Sequence, residues 1–398
     1  MKHENRTLDG DDACVFEEER TWRRDAKIER SNLASASSDE LQAESSSYKT
    51  SSTCYDEHLI MKMRCCGSFF LFIYMLVIFC YGFGGVEGGR YVAAQSAPVG
   101  RMIVVDKSGH GDFTTIQSAI NSVPSGNKQW IRISVRPGIY REKVTITPDK
   151  QYIVLEGQSN PRTIISWESA VDTLTSATFS ALADNFIAKW IHFENTYNYQ
   201  NTKNAMKPAV AALMSGDKSA FYYCGFYGVQ DTLWDSAGRH FFYECRIEGA
   251  VDFIFGAGQS IYENCYIIVE ARGVVGPGYV TAQGRNNPND ASAFVFKSCY
   301  LEGNGKVFLG RAWRPYSRVL VLQFLFIKCC GSSGMACLEL WEHRNRATIS
   351  YSEQGCRGEG SDMSRRVAWE KKLNHSELTQ LTSQSFIDRE GWLQQQPQ

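Results

Sequence analysis

"FYYCGF" at 221–226, "FYECRI" at 242–247, "YENCYI" at 262–267 and "FKSCYL" at 296–301 are one pattern written four times. Each opens on an aromatic residue and reaches a cysteine three positions later, at Cys224, Cys245, Cys265 and Cys299. Offsets of about twenty residues, as between the first three, are what one coil of a parallel β-solenoid needs, because each coil buries its inward side chains on the next. The cysteines would then stack in neighbouring coils. Unrelated strands that happen to share a buried aromatic and a small apolar cysteine are the simpler alternative. In an oxidising compartment some cysteines could close as disulfides, with Cys265 and Cys299 as the first candidate pair.

From residue 101 the flanking sequence also reads as β. "MIVV" from Met102, the alternating Ile131, Ile133 and Val135, "VTI" at 144–146 and "YIVLEG" at 152–157 all read as short strands. One helix interrupts them: Phe113, Ile116, Ala119 and Ile120 fall at helical spacing, with Asp112 placed to cap and Pro124 to stop. The 33 Gly, 19 Tyr and 22 Phe against only 10 Pro suit many short strands joined by tight turns. The expected fold is all-β, with a short N-terminal helix and a helical tail in "KKLNHSELTQLTSQSFIDREGWL".

Residues 1–60 are polar and Ser-rich without apolar periodicity, which predicts a disordered leader or an extension that is not part of the mature protein. Met61-Lys62-Met63-Arg64 precedes the apolar run from Phe69 to Tyr81, so residues 61–96 read as a signal peptide, or a signal anchor, and a linker. Residues 97–398 would form one secreted, extracellular domain, with a membrane contact only if the apolar run stays as an anchor. A net charge of -1 and a pI near 6.7 give no basic face for a nucleic acid. The seven scattered His lack metal-site spacing, so neither metal nor cofactor is expected. No Gly-x-Ser-x-Gly elbow supports a serine esterase. Asn374-His375-Ser376 is a glycosylation acceptor if the chain is secreted.

Three segments set polar groups among aromatics: Gln230-Asp231-Thr232-Leu233-Trp234, Gly249 to Gly256 around Asp252, and Leu309-Gly310-Arg311-Ala312-Trp313. Asp231 and Asp252 lie about one coil apart and could share a face. Two carboxylates at close range do not both ionise readily, which separates an acid from a nucleophile. Arg311 would keep its neighbour ionised. Trp234, Phe255 and Trp313 offer flat faces for a sugar ring, although core packing explains any one of them as well.

Together with "GDFTTIQSAINSVP" (111–124), "GIYREKV" (138–144), "AVAALMSGDKSAFYYC" (209–224), "TAQGR" (281–285) and "LGRAW" (309–313), these segments resemble the pectin methylesterase family. The resemblance covers residues 101–326 and 348–396. It implies a right-handed parallel β-helix that hydrolyses the C6 methyl esters of homogalacturonan in the cell wall. It implies Asp252 as nucleophile, Asp231 as acid and then base, Arg311 as the partner of Asp252 and Gln230 as an oxyanion donor. Phe179, Trp234, Phe255 and Trp313 would line the substrate cleft. A monomer is expected, with a separate proteinaceous inhibitor as a candidate partner and no inhibitor-like pro-region in the chain.

Two places depart from the family pattern. Pro208 stands where the family has a second oxyanion Gln, and "CCGSSGMACLELWEHRNRA" at 329–347 replaces a strand and loop, as two compensating frame changes would do. These departures motivate the competing reading, a pectin-binding or wall-structural protein without turnover. A lyase or glycosidase on the same solenoid is a third.

Overall fold

The computed structural model describes residues 96–160, 162–199, 206–271, 274–305, 307–329 and 347–398. The expected leader and signal segment, and nearly all of the aberrant 329–347 stretch, lie outside these residues. Among the described residues every strand pairing is parallel, and the strands build three sheets of ten, nine and seven strands. One coil shows the plan: Ser219–Tyr222 joins the ten-stranded sheet, Gly225–Tyr227 the nine-stranded and Leu233–Asp235 the seven-stranded, before Arg239–Tyr243 returns to the first. The chain is a right-handed parallel β-helix, as the four-fold repeat requires.

The repeat can be read rung by rung. Its opening aromatics, Phe221, Phe242, Tyr262 and Phe296, are in register and fully inward. Their rings stack at 4.8, 4.5 and 4.5 Å, close to the rung spacing, so each ring keeps its neighbour's face covered. The residue just before each cysteine, Tyr223, Glu244, Asn264 or Ser298, turns the corner with φ between +52° and +58°, apart from Glu244 at +49°. A left-handed conformation is uncommon for non-glycine residues and recurs here because the corner leaves no other path. The cysteine then points inward and starts the next sheet. The last repeat comes later because the chain first makes an excursion between Gly278–Gln283 and Ala293–Lys297.

The stacked cysteines are free thiols, including Cys265 and Cys299, which corrects the expected disulfide. Three of them donate to a carbonyl of the preceding coil, Cys245 Sγ to Phe221 O at 3.4 Å, Cys265 Sγ to Phe242 O at 3.5 Å and Cys299 Sγ to Tyr262 O at 3.4 Å, while Cys224 Sγ donates to Tyr222 O of its own coil. In-register parallel rungs hold successive Cβ atoms about 4.8 Å apart, outside the roughly 3.5–4.5 Å that a disulfide takes.

Helix α1 (Ile116–Asn121) buries Ile116, Ala119 and Ile120 over the open N-terminal end of the coil. Its N-cap is Thr115, not Asp112, whose carboxylate instead accepts from the Val104 N–H at 2.7 Å. Helix α2 (His375–Thr382) starts in a capping box formed by Asn374 and Glu377. Its Leu381, with Phe386, Ile387 and Trp392 beyond it, covers Ala220, Ile261, Val295 and Leu320 on the outer face of the ten-stranded sheet. The tail reaches back further than the last coils, since Gln396 accepts from the Tyr222 hydroxyl at 2.8 Å.

Candidate active site

The outer face of the seven-stranded sheet carries one in-register row: Ser180, Leu213, Trp234, Phe255, Ala282 and Arg311. The inward row beside it runs Phe179, Ala212, Leu233, Ile254, Thr281 and Gly310. Strand side chains alternate, so one residue of register decides between cleft and core. Phe179 falls on the inward side. It is fully buried, packed on Phe193 at 4.6 Å and Phe186 at 5.5 Å, and does not reach the cleft, contrary to expectation.

A cleft of about 640 Å³ lies over that outer row, lined among others by Gln230, Asp231, Trp234, Asp252, Phe255, Arg311 and Trp313. Asp231 and Asp252 each sit two residues before a strand of this sheet, at φ +61° and +50°. Aspartate tolerates this left-handed region better than most residues, and strain of this sort tends to collect at functional sites. The rungs lock together where Asp231 N–H donates to Val251 O at 3.0 Å and Gln230 bridges Val251. Asp231 and Asp252 therefore stand on adjacent rungs.

Arg311 pairs with Asp252 side-on: Nε donates to Oδ1 at 2.7 Å and Nη2 donates to Oδ2. Its guanidinium lies 4.7 Å from the Tyr279 ring centroid, and its carbonyl accepts from the Tyr351 hydroxyl at 2.9 Å. Gly310, just before it, is obligatory, since a Cβ there would lie 2.0 Å from Thr281 Oγ1. Burial raises the Asp252 pKa and the Arg311 pair opposes the rise. Asp231 has no ion pair among the described residues; burial, then the nearby Asp252 charge, push its carboxyl up to about 8, against a weaker pull from Arg311. At neutral pH the site therefore holds one carboxylic acid and one carboxylate tied to a cation.

The aromatic wall is continuous. Trp234 stacks on Phe255 at 5.2 Å, and Phe255 meets the edge of Trp313, itself 48% exposed, at 6.1 Å. Tyr279, Thr173 and Ile349 also belong to the site, although nothing in their spacing marks them out. Pro208 is half-buried, and Ala209 after it still donates to Gln230 O at 3.2 Å, so the rung is kept without a side-chain donor at 208. Among the described residues no group of three or more His, Cys, Asp or Glu could hold a metal ion, and no helix is long and apolar enough to cross a membrane.

The family profile described as Pectinesterase matches residues 102–390. The chain belongs to the pectinesterase family. Two Arabidopsis thaliana relatives, "Probable pectinesterase 55" and "Probable pectinesterase 29", are 49% and 48% identical to it, spanning 74% and 75% of this chain and 91% and 90% of their own. Among solved structures, the pectin methylesterase from carrot is 31% identical and superposes with a TM-score of 0.67, covering 75% of this chain and 97% of that one. The enzyme from Aspergillus niger is 25% identical with a TM-score of 0.63. The chain is thus a carboxylic ester hydrolase of the pectinesterase type.

Proposed function

We propose that this pectinesterase removes the C6 methyl groups of homogalacturonan outside the cell by covalent catalysis on Asp252. The observation that carries the proposal is the asymmetry of the pair: Asp252 is held by Arg311 while Asp231 keeps a proton up to about pH 8. The Asp252 carboxylate attacks the ester carbonyl carbon, and the oxygen that gains charge accepts a hydrogen bond from the Gln230 amide. As the tetrahedral centre collapses, the C–OCH3 bond breaks and the Asp231 proton passes to the departing methoxy oxygen, releasing methanol. Asp231, now a carboxylate, takes a proton from a water that attacks the acyl carbonyl. The C–O bond to Asp252 breaks and galacturonic acid leaves, giving its own proton to solvent to become the carboxylate; Asp252 is regenerated as a carboxylate, and the proton taken from the water remains on Asp231. Trp234, Phe255 and Trp313 supply the face on which the sugar rests.

With Pro208 in place of a second amide donor, Gln230 carries the oxyanion without a neighbouring side-chain amide, and such a donor is worth on the order of a hundredfold in turnover. The intact Asp231, Asp252, Arg311 and Gln230 set favours turnover over a binding-only role. Proton NMR of methylated pectin incubated with the protein is the test. Methanol should appear in equal amount with new carboxylate and with no fall in chain length. Chain shortening without methanol would overturn the reading in favour of a lyase or glycosidase.

A further inference from the structure

The Arg311 guanidinium has two neighbours of unlike kind: the Asp252 carboxylate, which it grips side-on, and the ring of Tyr279, whose centroid is 4.7 Å away. Tyr279 belongs to the strand Gly278–Gln283 and is half-buried, and Phe308 of the next rung stacks on its ring at 5.3 Å. The same residue also holds the chain around Asp252. Its N–H donates to Ala250 O at 2.8 Å and its carbonyl accepts from the Phe253 N–H at 3.4 Å, so these two backbone bonds bracket the corner where Asp252 turns at φ +50°. One residue therefore touches both members of the pair, and the chemistry above does not use it.

We infer that Tyr279 is a positioning residue for the reaction: its ring holds the Arg311 guanidinium in the orientation that pairs with Asp252, while its backbone holds the corner from which Asp252 reaches into the cleft. The inference rests on the esterase reading with Asp252 as nucleophile. A planar guanidinium against an aromatic ring is attracted by the ring electrons and loses freedom to rotate, so its fork meets the carboxylate already aligned. Without the ring, Arg311 would stand off Asp252 part of the time, and the buried carboxylate would take up a proton more readily. Among the described residues the titratable groups facing this pair are Asp231, Tyr279 and Tyr351. All three are neutral at pH 7, so the titration of Asp252 reports on where Arg311 stands.

Two substitutions in the intact chain test this. Tyr279→Leu removes the ring and leaves both backbone bonds, whereas Tyr279→Phe keeps the ring. Loss of such a contact should lower kcat roughly three- to tenfold with KM little changed. Asp252 must be ionised to attack, so the raised pKa should move the acid limb of the kcat/KM profile upward by about half a pH unit to one unit. The position of that limb does not depend on how much of the sample is folded, so a variant that is only destabilised would keep the wild-type limb. Tyr279→Phe should recover most of both losses. Carbon-13 NMR of the aspartate carboxyls without substrate, with the Asp252 signal identified by its absence from Asp252→Asn, reads the same titration independently of turnover. An Asp252 titration identical in wild type and Tyr279→Leu, or a Phe variant as impaired as the Leu variant, would overturn the inference. Wild-type protein that releases no methanol would instead remove the esterase reading, and the NMR titration would still decide whether Tyr279 holds Arg311 on Asp252.

Discussion

Replacing Asp231 with asparagine should abolish turnover and stabilise the fold, by an amount that grows with pH. The residue is 9% exposed, stands beside the Asp252 charge and has its carboxyl pushed up to about 8. The unfolded chain releases that proton near pH 3.9. Below about pH 4 both states hold it and the site costs nothing. Between about pH 4 and 8 the folded chain binds a proton that the unfolded chain does not, so wild-type stability falls as pH rises. At ~1.4 kcal/mol per pH unit over roughly four units, the upper bound is on the order of 5 kcal/mol, and solvent relaxation brings the expected gain to a few kcal/mol. Asparagine suits the +61° φ as well as aspartate does, so the substitution removes the charge without adding backbone strain. Thermal unfolding of both proteins from pH 4 to 9 should show Tm values that coincide in acid and separate by several degrees at pH 8. Curves that stay parallel across the whole range would refute the reasoning.

A second pH effect comes from His240, which is wholly buried. Its Nδ1 is 2.5 Å from Asp235 Oδ1 and its Nε2 is 2.9 Å from the Gly216 carbonyl, while the Tyr262 hydroxyl donates to Asp235 Oδ2 at 2.7 Å. Two acceptors demand two N–H groups, so the ring is an imidazolium; burial, the largest single effect, lowers its pKa, but the Asp235 charge and hydrogen bond together with the bond to the Gly216 carbonyl and the Asp217 charge leave it raised. This stabilisation is fully present below about pH 6.5 and lost as pH rises through the raised value. His240→Gln should cost roughly 3–5 kcal/mol at pH 5 and less at high pH, as read by urea denaturation; a loss independent of pH would exclude the ion pair. Phe179→Ala should cost about 3–5 kcal/mol of stability and leave the KM of the folded protein unchanged, whereas Trp313→Ala should raise KM with Tm nearly constant. A KM effect from Phe179 with no stability loss would place it in the cleft after all.

Much of the architecture was legible because the coil repeats. An inward aromatic, a left-handed corner and a buried cysteine recur at each rung, so spacing alone places Phe221, Phe242 and Tyr262 in one stack. The same spacing brings Asp231 and Asp252 onto adjacent rungs. Phe179 shows the limit: its strand is three residues long, and nothing in Phe179–Ala181 says which alternate faces inward until the pairing with Ala212 is known. Asp112 and Thr115 compete for the same helix start, and the strand carbonyls and amides nearby decide between them. The disulfide expectation failed because a cysteine ladder satisfies the same spacing with thiols that donate to carbonyls. Tyr279 gave no signal, since its contact with Arg311 joins strands of two coils separated by a long excursion.

The most direct measurement of the central claim is rapid-quench methanol release from methylated pectin by wild type and Asp252→Ala, with matched circular dichroism to show that both are folded. Nucleophilic attack by Asp252 predicts methanol from the wild type and none above background from the variant. Methanol release that persists in a folded Asp252→Ala protein would contradict it.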